Sequence, residues 1–195
     1  MATHIAATKA AIVEVNTRAA VLASEGRGDR AEVAYETLFQ VLNAIFSSPE
    51  EQAIGWGRAV VPLTTLGRPL PLDALGPTPL ERLRIRTQAL LDLPDIARVA
   101  SLDEVHEAIV AAIRVGAPRY NGGDFRGCCT IYWATGEALL GALATRGFSG
   151  YSRALGPIRQ VHEADPPHHA LSETEIDEFA WTLRHAFDAA LKVNG

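Results

Sequence analysis

The chain of 195 residues has only two cysteines, and they are neighbours, Cys128 and Cys129. Adjacent Cα atoms lie about 3.8 Å apart, below the usual disulfide range of about 4.4–6.8 Å. A disulfide framework is therefore excluded, and we expect both thiols to be reduced if the segment is helical. Reduced thiols are typical of a reducing compartment, so we expect the protein in the cytoplasm.

Basic residues are also scarce. Lys and Arg together number 18 against 23 Asp and Glu, which gives a net charge of -5, and the basic residues form no block. Affinity for nucleic acid depends mainly on attraction between cations and phosphates. We therefore expect no nucleic-acid partner.

Long apolar runs are missing as well. No segment approaches the ~20 uninterrupted apolar residues of a membrane-spanning helix. Lys9, Glu14 and Arg18 interrupt the Ala-rich N-terminal stretch before the apolar centre of a signal peptide could form. The sequence predicts neither a membrane span nor a secretion signal.

Apolar residues recur at helical spacing along most of the chain, and strand-like alternation is absent. This pattern predicts an all-α protein, a compact bundle of about six to seven helices. Two capping boxes, Ser101–Glu104 and Ser172–Glu175, mark helix starts. A helix from Phe125 to about residue 144 carries only two charges, so we expect it to be the buried centre of the bundle.

Composition divides the chain into three segments. Residues 1–61 predict a helical hairpin followed by a short helix. Residues 62–79 contain five prolines and five leucines, which favours an extended connector packed on the surface through its leucines. Residues 80–195 predict a C-terminal bundle that shares one continuous core with residues 1–61. Within it, residues 147–167 are rich in Gly, Ser and Pro, which favours an irregular segment with at most a short helix near Ile158.

A run of residues within 105–144 has a characteristic spacing: Gly116, Tyr120, Gly123-Asp124-Phe125, Cys128, Tyr132 and Thr135. It resembles a single, degenerate tetratricopeptide repeat, whose consensus places Gly, Tyr, Gly-Asp-Tyr, Ala, Tyr and Ala at these positions. The resemblance implies a central helical hairpin and a groove that binds protein partners. The alternative is a helical hairpin packed inside an ordinary bundle. The same run, with the segment 180–188, also resembles small bacterial helical proteins of unassigned role.

We predict a non-enzymatic helical module for protein–protein interaction or scaffolding, with its partner surface near the 120–124 hinge and the Leu-rich connector. A protein partner is expected, assembly into a homo-oligomer stays open, and no cofactor or catalytic residue is assigned. The alternative is a small-molecule-binding protein or enzyme with a pocket in the helical core around Glu137, His185 and aromatic residues. His106 and His185 each have a carboxylate three positions away, Asp103 and Asp188 respectively, and this suits either acid–base catalysis or surface electrostatics.

Eight residues are candidates for ligand binding because they combine polar or aromatic side chains with the hinge or the apolar helices. They are Tyr120, Asn121, Asp124, Tyr132, Trp133, Glu137, Trp181 and His185. On a mostly apolar helix, Glu137 needs a partner such as Arg184 or Arg114, or a cavity. The hinge itself is typical of a helix C-cap followed by an N-cap.

One cluster has the composition of a metal site. His162, His168 and His169 lie within eight residues, together with two carboxylates, which suits Zn²⁺ or Ni²⁺. Their spacing matches no known motif, and prolines separate them. We therefore expect an exposed polar loop there, and the three histidines are only a weak metal candidate.

Overall fold

The computed structural model describes residues 2–48, 55–66, 70–94, 101–143, 149–163 and 170–193. The long helices are α1 (Ala2–Ser24), α2 (Gly28–Phe46), α4 (Pro79–Asp92), α5 (Leu102–Asn121), α6 (Phe125–Leu143) and α9 (Glu173–Ala190). The short ones are α3 (Gly55–Thr64), α7 (Ser149–Ala154) and α8 (Gly156–Glu163), and a 3-10 helix covers Pro71–Leu75. These ranges contain no strand, so the predicted all-α class is confirmed.

Helix α6 is the centre of the bundle, as predicted. Thirteen of its 19 residues are buried. It packs against α5, α9, α3 and α4. A helix that carries few charges on any side is stable in water only when neighbouring helices cover most of its surface, and these four neighbours cover it.

The hinge between α5 and α6 forms as the Gly-Gly-Asp sequence predicts. Gly123 has a φ of +85°, a conformation that a residue without Cβ adopts at little cost. Asp124 then accepts a hydrogen bond from the Gly127 amide at 2.9 Å, which satisfies one of the free N–H groups at the start of α6. Pro118 lies inside α5 without ending it, because it falls in the last turn of that helix.

The two helices of this hairpin approach closely at Gly116, which is buried in α5. A methyl group at this position would overlap the ring of Tyr132 on α6. The absence of a side chain therefore allows the aromatic ring of one helix to lie directly on the backbone of the other.

The connector differs from the expected extended backbone. Helix α3 continues through Pro62 to Thr64, and a 3-10 helix follows. Asp73 holds that turn, because its carboxylate accepts the Leu70 amide at 2.8 Å and the Arg86 Nε at 2.7 Å. The connector buries four of its leucines completely or nearly so: Leu63, Leu70, Leu72 and Leu75.

Residues 149–163 also differ from the prediction, which was an irregular segment with at most a short helix near Ile158. They form α7 and α8 instead. The signal is a spacing of four and three between Tyr151, Leu155 and Ile158, all of which are buried. Ile158 rests on Gly136 of α6, where a methyl group would collide with it. Contact with the central helix thus stabilises a segment that has weak helix propensity by itself.

A single buried apolar cluster extends from Ile5 in α1 to Ala190 in α9. It contains residues from segment 1–61 and from segment 80–195. A smaller cluster of Ala19, Ala31 and Tyr35 lies between α1 and α2. Among the helices of the described ranges, none combines the length and apolar character needed to cross a membrane.

Candidate binding pocket between α5, α6 and α9

A pocket of about 290 Å³ opens where α5, α6 and α9 meet. Each helix contributes residues spaced three or four apart, so one face of each helix turns toward the pocket. Its lining comprises Ala117, Tyr120 and Asn121 of α5, Cys128 and Tyr132 of α6, and Ala180, Trp181, Arg184 and Asp188 of α9. The lining is largely aromatic and apolar with a few polar groups, as is usual for binding pockets.

Tyr120 and Trp181 form a fixed aromatic wall of this pocket. Trp181 Nε1 donates a hydrogen bond to the Tyr120 hydroxyl at 2.9 Å, and that hydroxyl donates to the carboxylate of Asp177. The two rings meet edge to face, with centroids 5.7 Å apart. The hydrogen bond to Asp177 raises the pKa of Tyr120, because it holds the hydroxyl in its protonated form.

Phe125 supports the same wall from the start of α6. Its ring lies edge-on to Tyr120, with centroids 4.9 Å apart. Edge-to-face pairs of this kind are favourable because the positive edge of one ring meets the negative face of the other. Tyr120 is therefore fixed by Trp181, Asp177 and Phe125 together, and the wall exists before any ligand arrives.

The inner end of the pocket carries a phenol and a thiol in their neutral forms. Burial raises the pKa of Tyr132 to about 12, and burial also raises the pKa of the Cys128 thiol. A thiolate is the reactive form of cysteine, so a raised pKa makes Cys128 a poor nucleophile. Cys128 is also only 1% exposed, so little of its thiol is open to solvent.

Arg184 and Asp188 supply the charges of the lining. Arg184 Nε donates to Asp188 Oδ1 at 3.0 Å, one helical turn away. Both side chains are only partly exposed. A cation and an anion next to each other give this part of the pocket a strong local dipole and little net charge, so it does not select ligands by the sign of their charge alone.

The pocket brings together four of the eight predicted ligand-binding residues: Tyr120, Asn121, Tyr132 and Trp181. Asp124 lies at the hinge and lines a different groove of about 710 Å³, together with Arg84, Arg119 and Arg126. Trp133 is fully buried within the core, and Glu137 is half-buried on α6. In the ranges that the structure describes, neither of these two residues lines the pocket.

The predicted histidines occupy other places. His185 is exposed on α9, outside the lining, and its ring lies beside Trp181, tilted by 37° with centroids 5.6 Å apart. His106 lies on α5 with its Nε2 2.9 Å from the Tyr151 hydroxyl, so it links α5 to α7. Arg184, which was one expected partner for Glu137, bonds to Asp188.

The predicted metal cluster of three histidines falls largely in a part of the chain that the structure does not describe. His168, His169 and the side chain of His162 lie outside the described residues. Within the part of the chain that is described, no group of three or more His, Cys, Asp or Glu side chains is arranged to hold a metal ion.

Sequence reasoning missed five residues of the lining: Ala117, Cys128, Ala180, Arg184 and Asp188. Of these, Asp188 was considered only as the carboxylate beside His185. The available signal was the spacing of Arg184 and Asp188, which follow Ala180 by four and eight positions and therefore share its face of α9. What the sequence does not show is that this face of α9 meets α5.

Comparisons of the chain with protein-family models, with curated proteins and with solved structures found no match.

Proposed function

We propose that the protein is a non-enzymatic helical interaction module that receives an aromatic side chain of a protein partner in the pocket between α5, α6 and α9. The observation that carries this proposal is the prearranged Tyr120–Trp181 wall. Trp181 is 46% exposed although it is large and apolar. Exposed aromatic residues that are already fixed in place contribute much of the affinity in protein interfaces, because little conformational entropy is lost when they bind.

The size of the pocket supports a side chain as the occupant. About 290 Å³ lies at the lower end of the range of small-molecule sites, roughly 300–1,000 Å³. A single aromatic ring with its stem fits such a space, and a nucleotide-sized cofactor does not. A guest ring would also extend the edge-to-face packing of Tyr120 and Trp181, and each such pair is worth about 0.5–1.5 kcal/mol beyond the buried area.

The chemistry of the lining favours binding over catalysis. Burial raises the pKa of both the Cys128 thiol and the Tyr132 hydroxyl, so neither is activated as a nucleophile or base near neutral pH. His185 of α9 is exposed and does not line the pocket. The resemblance of the α5–α6 hairpin to a tetratricopeptide unit adds to this proposal, since it implies a groove for protein partners.

The alternative function, a small-molecule binder or enzyme using Glu137 and His185, has less support. These side chains do not line the pocket, and Trp133, the aromatic residue expected beside them, is fully buried. A small aromatic molecule could still use the α5–α6–α9 pocket. Titration with indole and with p-cresol, followed by NMR shifts of the Ala117 and Ala180 methyl groups, separates this case from binding of a peptide alone.

The proposal is tested by selecting binders from a random peptide display library. We expect the selected peptides to share an aromatic residue, and their affinity to fall at least about tenfold with Ala117→Phe, which fills the pocket, and with Trp181→Ala. Val115→Ala, an exposed apolar position on α5 outside the lining, is the matched control and should leave affinity unchanged. Peptides without an aromatic residue, or equal binding to Ala117→Phe, would contradict the proposal.

A further inference from the structure

Exposed apolar side chains concentrate on the two N-terminal helices. Among the described residues, eight large apolar side chains are exposed, and α1 and α2 carry five of them: Val13, Val21, Val33, Val41 and Ile45. On α1, Val13 and Val21 are about half exposed. Exposed apolar side chains that share one helix face indicate an interface, whereas single scattered apolar residues do not.

On α1 the two valines belong to one uncharged face, called here the α1 face. Its residues follow each other at intervals of three or four and are all exposed: Ala6, Ala10, Val13, Thr17, Val21 and Ser24. This spacing is that of a helix pairing with another helix. The small residues at its ends allow the two axes to approach within about 8–10 Å.

The charged side chains of α1 lie outside the α1 face or at its edge. Lys9 turns toward the rest of the protein, where its Nζ donates to the Leu93 carbonyl at 2.5 Å. Glu14 and Arg18 remain at the edge of the α1 face. Neither has a hydrogen-bond or ion-pair partner within the described residues. Two opposite charges, one turn apart, are thus available to a partner.

We infer that the α1 face binds the same face of a second copy of this chain, with the two α1 helices antiparallel. Thr17 lies midway between Val13 and Val21, so a two-fold axis at Thr17 places Val13 opposite Val21 of the second copy. The same axis brings Glu14 within two residues, about 3 Å along the helix, of Arg18 of the second copy. An isologous interface requires this self-complementarity.

The opposite charges of Glu14 and Arg18 favour a second copy of this chain over a partner whose surface carries charges of only one sign. A basic partner would pair with Glu14 and repel Arg18, and an acidic partner would do the reverse. Only a partner with the same two charges in reverse order satisfies both. An antiparallel copy of α1 has that order.

The length of the α1 face determines the affinity that we expect for the dimer. With the axis at Thr17, Ala10 faces Ser24 of the second copy, so the paired part of the face is about 21 Å long, at about 1.5 Å per residue. One helix face of this length buries less than the roughly 800 Å² per partner of a standard interface. We therefore expect a dimer that dissociates on dilution. The pocket residues belong to other helices, so each dimer would carry two pockets, and this inference does not depend on the proposed function.

Sedimentation velocity from low micromolar to sub-millimolar concentration tests the inference. We expect the unmodified protein to change from monomer to dimer over this range. Glu14→Arg should weaken dimerisation about tenfold or more, since it places Arg opposite Arg18 of the other copy. Combining it with Arg18→Glu should restore dimerisation, because opposite charges again face each other.

Val115→Glu is the control, since it adds a charge to a half-exposed apolar position of α5 and should leave dimerisation unchanged. Thermal unfolding of each variant checks that it is folded, which is expected because all substituted side chains are exposed. A monomer at every concentration would overturn the inference. So would a double variant that fails to recover, because the antiparallel charge pairing would then be absent.

Discussion

Trp181 Nε1 lies 2.9 Å from the Tyr120 hydroxyl and donates a hydrogen bond to it, although the two residues are 61 positions apart. The same hydroxyl donates to Asp177, so one oxygen joins α5 to two successive turns of α9. This bridge fixes the mouth of the pocket. It also means that the proposed partner surface and the packing of α9 on α5 depend on the same atoms.

We expect Tyr120→Phe and Trp181→Phe to be coupled energetically. Each substitution keeps an aromatic ring and removes one member of the hydrogen bond. A double-mutant cycle on the free energy of unfolding, measured in urea, should give a coupling of about 0.5–1.5 kcal/mol, the net worth of one such hydrogen bond. Strict additivity of the two substitutions would show that the bond contributes nothing in solution.

Gly116→Ala should destabilise the protein by about 1–3 kcal/mol, because the added methyl group would overlap the Tyr132 ring and force the hairpin apart. Helix propensity alone predicts the opposite sign, since Ala is favoured over Gly by about 1 kcal/mol within a helix. Gly156→Ala is a matched control, because nothing lies within 4 Å of the added atom there. Urea unfolding that shows Gly116→Ala to be stabilising would exclude the close approach of α5 and α6.

Asp73→Ala should cost about 3–5 kcal/mol of stability, because it leaves the buried Arg86 guanidinium without its anion. Arg86 and Asp73 are 7% and 13% exposed in their side chains. Asp188→Ala serves as the control, since the Arg184–Asp188 pair is 30% and 39% exposed and should cost under about 1 kcal/mol. The comparison uses urea unfolding at neutral pH, and equal costs for the two variants would contradict the burial of the first pair.

Local signals predicted much of the fold. The capping boxes at Ser101 and Ser172 open α5 and α9 as expected, because each Ser accepts the amide three residues later. The scarcity of charge in α6 located the central helix. These features depend only on neighbouring residues, so they can be read from a single sequence.

Contacts between distant segments could not be predicted in the same way. The turn of the connector at Asp73 is stabilised by Arg86, which is 13 residues further along the chain. Helix α8 forms where Ile158 contacts Gly136 of α6. The pocket likewise depends on how α9 lies against α5. The spacing of apolar residues identifies the buried face of each helix. It does not identify which other helix packs against that face, because several pairings would bury it.

Tyr132 gives the protein an alkaline limit of stability. Burial raises the pKa of Tyr132 to about 12, above its ordinary value near 10. Because the folded state holds this proton more tightly than the unfolded chain, the contribution of Tyr132 to stability is complete below about pH 10 and is lost as the pH rises toward 12.

Urea unfolding at a series of alkaline pH values should therefore show a free energy of unfolding that falls with pH. The fall should be less steep in Tyr132→Phe. Some slope should remain in that variant, since burial also raises the pKa of Tyr35 and Tyr151. Identical slopes with and without the Tyr132 hydroxyl would show that this group titrates alike in both states.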